Sequence, residues 1–291
     1  MKYKKITPWL FLIPTLLGLI FFRLGPMLAA GLASFTRWNV FSPPEWIGFG
    51  NYIELFNSGT FQMILKNTFI FSGLFVPGVM AAALFLALLV NNKLRGMTFF
   101  RGLFYLPVIT SVVSVGVIWS WILSPRFGLL YQLVNKFFDI ARLPSFLGQP
   151  EYALYTLIFV YVWKMAGYQM ILFLAGLQNI PQVYYEAATI DGASIWQKFR
   201  YITLPLLTPT TFFVLIISII MSLKTFELTY IMTQGGPNYA STTLIYSIYV
   251  NAFKHFRMGF ASAMSYILFI IVAVFTYLNF KFKKRWVHYS E

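Results

Sequence analysis

Residues 180–209 read IPQVYYEAATIDGASIWQKFRYITLPLLTP, a polar interruption between two apolar stretches. Pro181 suits the first turn of a helix because it has no backbone N–H to satisfy, and Gly192 suits the left-handed residue that follows a helix. Between them, apolar residues recur at helical spacing, at Val183, Ala187 and Ile190. The pattern predicts one short amphipathic helix.

A second helix is predicted directly after the first. Ser194 and Gln197 form a capping-box pattern, in which each side chain bonds the backbone N–H of the other residue. Leu204-Pro205 marks the expected end, because the residue before a proline avoids helical geometry. The two helices together predict a helix-turn-helix at the membrane surface, which we call the 180–205 hairpin.

The order and spacing of residues in this hairpin resemble a known motif. Glu186-Ala187-Ala188, three residues, Gly192, nine residues and then Ile202-Thr203-Leu204-Pro205 are similar to the EAA loop of binding-protein-dependent ABC import permeases. Other segments resemble the sugar-type permeases, the family of the maltose and glycerol-3-phosphate permeases. These segments are Ser34-Phe35-Thr36-Arg37-Trp38-Asn39, Gly50-Asn51-Tyr52, Gly235-Gly236-Pro237 and Thr243-Leu244-Ile245-Tyr246.

This resemblance covers nearly the whole chain and carries expectations about fold and partners. It implies an all-α membrane protein with six transmembrane helices, the type I ABC importer permease fold and a cytoplasmic coupling helix. It implies a non-catalytic subunit of a sugar importer in a bacterial or archaeal plasma membrane. The implied partners are a second homologous permease, two ATP-binding subunits that hold ATP and magnesium, and an extracytoplasmic solute-binding protein. This chain itself would hold no cofactor.

Composition independently indicates a membrane protein. Of the 291 residues, 59% are hydrophobic and only 10% are charged, whereas about a quarter of the residues of a soluble domain are charged. The net charge is +14. Because the basic residues lie in short segments beside apolar spans, they suit membrane orientation better than nucleic-acid binding. The chain has no cysteine, which excludes disulfides and thiolate metal sites.

Six apolar segments have lengths near the ~20 residues that a helix needs to cross a bilayer. They are residues 9–35, 68–90, 102–123, 152–177, 206–223 and 260–280. The first begins like a signal peptide, but its apolar character resumes after Arg23, which favours an uncleaved span. We expect one transmembrane permease domain, residues 1–291, whose helices form a closed bundle within the lipid bilayer.

Basic residues predict the orientation. On one side they are dense and lie in short segments: Lys2, Lys4, Lys5, Lys93, Arg95, Arg101, Lys198, Arg200, Lys281, Lys283, Lys284 and Arg285. On the other side they are spread over longer segments. Since the dense set is expected to be cytoplasmic, both termini and the 180–205 hairpin should face the cytoplasm, where ATP is.

The outward segments are residues 36–67, 124–151 and 224–259. Their aromatic rings suit the bilayer interface, and they also suit a docking surface for an external protein. Gly235-Gly236-Pro237 predicts a tight turn in the last of them.

The chain lacks an energy source of its own. It has no G-x-x-x-x-G-K-[ST] phosphate loop, and its predicted spans contain no Asp or Glu through which a proton-driven carrier could relay protons. A secondary carrier or facilitator for a small polar solute is the alternative function. A membrane-embedded enzyme is disfavoured because catalytic motifs are absent.

We therefore expect energy to arrive through the 180–205 hairpin. By resemblance, its first helix would insert into a cleft on an ATPase subunit and move as a lever. Small residues keep that helix slim, and acidic residues supply charge at its polar edge. The expected coupling residues are Glu186, Ala187, Ala188, Asp191 and Gly192.

The resemblance also implies a substrate pathway along the fourth and fifth spans. Sugar contacts of the maltose-type permease fall near Tyr161, Lys164, Met165, Tyr168, Ser218 and Ser222, and Gln169 and Glu227 are further polar candidates. Lys164 stands where the maltose pattern has an apolar residue. A positive charge there would fit an acidic or phosphorylated sugar as well as a neutral one.

Several of these residues have a second interpretation. Lys164 could lie near one end of its span and reach the interface. Ser218 and Ser222 share a helix face and could bond the preceding turn or a neighbouring helix. Glu227 could act as a gate, pair with Lys224 or be solvated.

Overall fold

The computed structural model describes residues 7–92, 94–138 and 143–286. Both chain ends lie outside the described residues, and so do four basic residues of the orientation argument, Lys2, Lys4, Lys5 and Lys93. The chain divides into two compact units. Unit 1 comprises Met1–Gln62 and Ser247–Ile270, and unit 2 comprises Met63–Tyr246 and Ile271–Glu291.

The described chain is mostly helical. In chain order the helices are α1 (Thr7–Leu19), α2 (Gly25–Ala33), α3 (Gly50–Asn57), α4 (Gly59–Val90), α5 (Met97–Ile109), α6 (Val112–Ile122), α7 (Leu129–Phe138), α8 (Pro150–Gln178), α9 (Gln182–Ile190), α10 (Ile195–Lys198), α11 (Leu204–Leu206), α12 (Thr208–Leu223), α13 (Leu244–Tyr249) and α14 (Met258–Trp286). Wider, π-helical turns lie at Ile20–Leu24, Phe199–Thr203, Thr229–Thr233 and Val250–Lys254. Two short strands, β1 (Thr36–Arg37) and β2 (Glu45–Trp46), pair antiparallel.

Four helical segments of the described chain are long and apolar enough to cross a bilayer. They are Trp9–Ala33, Gly59–Val90, Pro150–Gln178 and Met258–Lys283, which correspond to the first, second, fourth and sixth predicted spans. Two further helix pairs are bent, and six crossings result if each bent pair counts as one span. The boundaries of six spans in a single domain therefore stay a prediction.

The third predicted span, residues 102–123, differs from a continuous helix. It consists of α5 and α6, which meet at an angle of 93°. Between them Thr110 and Ser111 are extended, with ψ angles of 146° and 135°. Pro107 removes one N–H from the helical ladder, and the Thr110 hydroxyl donates to the Pro107 carbonyl at 2.7 Å, a local bond that competes with helix continuation.

Helix α8 is the centre of unit 2. In the most apolar stretch of α8, 61% of the residues are buried inside the chain, whereas the corresponding share in α4 is 33%. Hydrophobic clusters surround both halves of the helix, and the rings of Phe75 and Tyr161 lie 4.6 Å apart in the first of them. Because a buried polar group is costly when it lacks a hydrogen bond, the polar side chains of α8 have to find partners inside the protein.

Two of the segments quoted for the family resemblance are joined in unit 1. The Asn51 side chain donates to the carbonyls of Ser34 and Thr36, each at 2.8 Å, and the Tyr52 hydroxyl donates to the Ser34 hydroxyl. The two Asn51 bonds satisfy carbonyls at and beyond the end of α2, where no further helical turn supplies N–H donors. Asn51 therefore ties the first apolar span to α3.

The other two segments are joined in unit 2. Gly235 has a left-handed φ of 79°, and the turn at residues 235–237 contains a cis Gly236–Pro237 bond. Asn67 donates to the carbonyls of Tyr239 and Thr242, and the Leu244 N–H donates to the Thr68 hydroxyl. The predicted tight turn is present, and α4 holds the loop that follows it.

Candidate functional site

The first helix of the 180–205 hairpin has the predicted form. Pro181 immediately precedes α9, and Gly192 adopts a left-handed φ of 75°. The Gly192 N–H donates to Thr189 O at 3.1 Å and the Ala193 N–H donates to Ala188 O at 2.8 Å. These two bonds close the helix end, so the predicted role of Gly192 as a helix terminator is confirmed.

The second helix starts as predicted but continues further. The Ser194 and Gln197 side chains form the predicted capping box before α10. The second helix ends one residue later than predicted: a π-helical turn carries the helical path into α11, which ends at Leu206, and the 65° bend follows at Leu207. Leu204 keeps helical angles although a proline follows it, so Pro205 does not itself end the helical path.

The two arms of the hairpin are bonded to each other, and one side of the hairpin packs against the rest of unit 2. The Tyr185 hydroxyl and the Thr203 hydroxyl lie 2.9 Å apart, and the Lys198 ammonium donates to the Thr189 hydroxyl at 2.8 Å. Tyr185 and Ile202 also pack against the hydrophobic cluster around the second half of α8. The hairpin is thus braced across both of its arms, as a lever must be if it is to transmit force.

The other side of the hairpin is exposed and carries several large apolar side chains. Ile190 is 87% exposed and Ile195 is 88% exposed. Further exposed apolar side chains of the hairpin are Val183, Tyr184, Trp196 and Tyr201. Such a concentration of exposed apolar side chains on a short polar connection indicates an interaction surface.

The predicted coupling residues belong to this exposed side. Glu186, Ala187, Asp191 and Gly192 are exposed, and Ala188 is half-buried. Neither acidic residue has an ion-pair partner among the described residues. The structure therefore brings the five residues together on one element, with charge available to another molecule. Their role in coupling stays a prediction.

Residues predicted to contact substrate meet at a seam between α8 and α12. The Gln169 amide donates to the Ser218 hydroxyl at 2.9 Å, and both side chains are fully buried. Ser218 donates in turn to the Val214 carbonyl at 2.6 Å, one helical turn earlier. The Gln169 amide oxygen has no hydrogen-bond partner among the described residues, so the seam contains a buried acceptor that is not satisfied.

Other predicted pathway residues lie along the same two helices. The Ser222 hydroxyl donates to the Ile219 carbonyl at 2.8 Å and lies 2.9 Å from the Ser72 hydroxyl of α4, the type of bonding that the second interpretation expected. Tyr161 is buried against Phe71 and Phe75. Sequence reasoning did not identify Ser72, because nothing local distinguishes a serine in an apolar helix.

The remaining candidates differ in accessibility. Tyr168 is half-buried, and Met165 packs against the core cluster around the first half of α8. Glu227 is exposed beyond the end of α12 and has no ion-pair partner among the described residues, so the solvated interpretation fits it. Lys164, by contrast, is 1% exposed, and its ammonium donates to the carbonyls of Pro107 and Thr110, each at 2.9 Å.

The sequence model of one protein family matches most of this arrangement. The family is described as the inner membrane component of binding-protein-dependent transport systems, and the match covers residues 78–286. The chain belongs to this permease family. The matched region of the permease includes the 180–205 hairpin together with the whole of α8 and α12.

Relatives and a solved structure match the permease over nearly its full length. The probable ABC transporter permease protein YesP of Bacillus subtilis is 39% identical over 294 residues, which cover 100% of this chain and 94% of YesP. The multiple sugar-binding transport system permease protein MsmF of Streptococcus mutans is 34% identical over 287 residues, 97% of each chain. A crystal structure of a bacterial alginate ABC transporter, bound to a periplasmic protein that carries an alginate pentasaccharide, matches with a TM-score of 0.85 at 27% identity and 97% coverage of both chains.

These comparisons confirm the class of the protein. The permease has the predicted helical ABC importer fold and is a non-catalytic inner-membrane subunit of a binding-protein-dependent importer. Since the importer family hydrolyses ATP on separate subunits, the absence of a phosphate loop from the sequence has a direct explanation.

Proposed function

We propose that the permease forms half of a heterodimeric pore that imports a sugar or sugar derivative. A second homologous permease would supply the other half, and two ATP-binding subunits would hold ATP and magnesium. A solute-binding protein would deliver the substrate from outside. The names of MsmF and the alginate transporter support a saccharide substrate.

The observation that carries this proposal is the exposed apolar side of the braced 180–205 hairpin. Ile190 and Ile195 would enter the ATPase cleft together with the slim part of α9, while Glu186 and Asp191 would meet polar groups at its rim. The bonds through Tyr185 and Lys198 would make the two arms of the hairpin move together, and the second arm leads into α12. Rigid transfer of this kind can alternate the access of a pore between its two sides.

We also propose an orientation in which the hairpin and both termini are cytoplasmic. The described basic residues Arg95, Arg101, Lys198 and Arg200 support it, since they lie in short segments on the same predicted side. The outward loops would then face the binding protein.

For the substrate, we propose a path along the α8–α12 seam. Tyr161, Tyr168, Gln169, Ser218 and Ser222 present ring faces and hydrogen-bonding groups, which suit the C–H faces and hydroxyls of a sugar. The unsatisfied Gln169 oxygen supports this path, because it could accept a sugar hydroxyl when the seam opens. Glu227 would stand at the outer end of the path.

Co-purification and sidedness test the proposal. In mild detergent the permease should retain its ATPase subunits, and Glu186→Ala should reduce the retained ATPase or uncouple its activity from transport. Glu151→Ala, an exposed acidic residue in the first turn of α8, is the matched control.

Sidedness uses the natural absence of cysteine. A single Ile195→Cys should react with an impermeant maleimide in inverted vesicles stripped of the ATPase subunits and not in intact cells. Labelling in intact cells, or normal assembly and coupled transport by Glu186→Ala, would overturn the proposed coupling.

A further inference from the structure

The break between α5 and α6 leaves helix-end carbonyls without helical partners. At the end of a helix the last carbonyls have no N–H from a following turn. Here the chain turns through 93° in the middle of a predicted span. The Pro107 carbonyl accepts from the Thr110 hydroxyl, and the Lys164 ammonium lies 2.9 Å from both the Pro107 and the Thr110 carbonyls.

This bonding explains how a lysine can be almost completely buried in α8. An isolated buried charge is very unfavourable, and no carboxylate lies within ion-pair distance of Lys164 among the described residues. The two carbonyls belong to the C-terminal end of α5, where the aligned peptide dipoles of a helix are negative and favour a cation. Lys164 is therefore balanced by the broken helix and does not need an anionic ligand.

An apolar cavity lies beside the break. A cavity of about 700 Å³ is lined by Pro107, Thr110, Trp163 and Gly167 among other residues, and its wall is almost entirely apolar. Lys164 is not one of the residues that line this cavity. It is also more buried than its two sequence neighbours, Trp163 and Met165. Its two bonds hold the ammonium at the backbone of the break.

A second contact joins the same two helices one turn further along α8. A Cβ atom on Gly167 would overlap the Phe104 carbonyl of α5, so the two backbones touch at that point. Lys164 and Gly167 thus attach α8 to α5 at adjacent turns. Two attachments of this kind restrict both the position of α5 and the angle at which α6 leaves it.

From these contacts we infer that Lys164 is a positioning residue, which fixes the α5–α6 bend on α8 so that the bend and α8 move as one body during transport. It acts through the backbone of the break and does not bind the sugar. This inference rests on the proposed function only for its transport readout. Its structural readout is independent of any substrate.

The structural test measures the bend in the assembled transporter in nanodiscs. Spin labels at Phe99→Cys and Trp121→Cys, both exposed positions in a chain without natural cysteine, report the distance between α5 and α6. We expect a narrow distance distribution with Lys164, a broader one with Lys164→Gln, and the broadest with Lys164→Met. Lys66→Met, which removes an exposed lysine, should leave the distribution unchanged.

The transport test separates positioning from substrate contact. The test substrate is chosen from a panel of neutral, acidic and phosphorylated sugars. It is the sugar that most increases the ATPase rate of the wild-type transporter. We expect Lys164→Met to lower kcat for its uptake about tenfold with KM changed less than about twofold, and Lys164→Arg to restore part of kcat, because the lost bonds are charge-assisted and act on geometry.

The outcomes distinguish the two ideas. The positioning role would be overturned if the spin-label distance distributions of the wild type, Lys164→Gln and Lys164→Met had the same width. A rise in KM confined to acidic sugars would also overturn it. If Lys164→Met does not assemble, the comparison of Lys164→Gln with the wild type decides by the same widths. A transporter that moves no sugar but keeps the narrow distribution would contradict the proposed function and leave the positioning role standing.

Discussion

The exposed side of the 180–205 hairpin leads to a quantitative prediction for Ile195→Ala. The substitution removes three outer carbons from a side chain that is 88% exposed in the free permease. Because this side chain touches little within its own chain, the substitution should change the free energy of unfolding of the permease by less than about 0.5 kcal/mol.

The effect on assembly should be much larger. If Ile195 enters an apolar cleft of the ATPase, each buried carbon contributes about 0.8 kcal/mol, so the three carbons together are worth about 2 kcal/mol. That difference corresponds to a Kd for the ATPase subunit that is weaker by on the order of thirtyfold.

The assay is a titration of immobilised permease nanodiscs with the purified ATPase subunit, followed by biolayer interferometry. Ile53→Ala provides the matched control, since Ile53 is 60% exposed on α3, in a segment expected on the opposite side of the membrane. A Kd that changes less than threefold for Ile195→Ala, or that changes equally for both variants, would refute the reasoning that this side chain docks into the ATPase.

Further substitutions test other contacts. Gly192→Ala should cost about 1–2 kcal/mol through its left-handed backbone alone, since nothing lies within 4 Å of the added carbon, and hydrogen exchange of the hairpin should rise. Gly167→Ala should lower Tm because it overlaps the Phe104 carbonyl, with a cost of about 1–3 kcal/mol, while Gly73→Ala, which meets nothing within 4 Å, should not lower Tm. Asn67→Ala should expose the turn after α12 to faster hydrogen exchange, because two carbonyls lose their buried donor; unchanged exchange would contradict that role.

Local signals in the sequence predicted local structure well. The left-handed Gly192 and the Ser194–Gln197 capping box depend on residues at most a few positions apart, and the structure contains both. The broken span at Thr110 could not be predicted in the same way, because Pro107 alone is compatible with a continuous transmembrane helix. The donor that satisfies the break lies 54 residues away in the chain, on Lys164.

The candidate pathway residues illustrate a similar limit. The resemblance indicated Ser218, and Gln169 was a further polar candidate on the fourth span; the structure joins the two across 49 residues of chain. For Lys164, the sequence left substrate contact and the membrane interface as interpretations. The observed bonding to a broken helix required knowledge of where that break lies, which a pattern of hydrophobicity does not contain.

The π-helical turn at Phe199–Thr203 has a consequence for reading related chains. In it the Leu204 N–H donates to Phe199 O, five residues earlier, so the turn holds one more residue than an α-helical turn. An extra residue rotates everything downstream by about 100° around the helix axis. A single-residue gap at this point in an alignment would therefore mean that the exposed apolar side chains are oriented differently relative to the membrane helix. For the same reason, a helical wheel has to be drawn separately for each side of Phe199–Thr203.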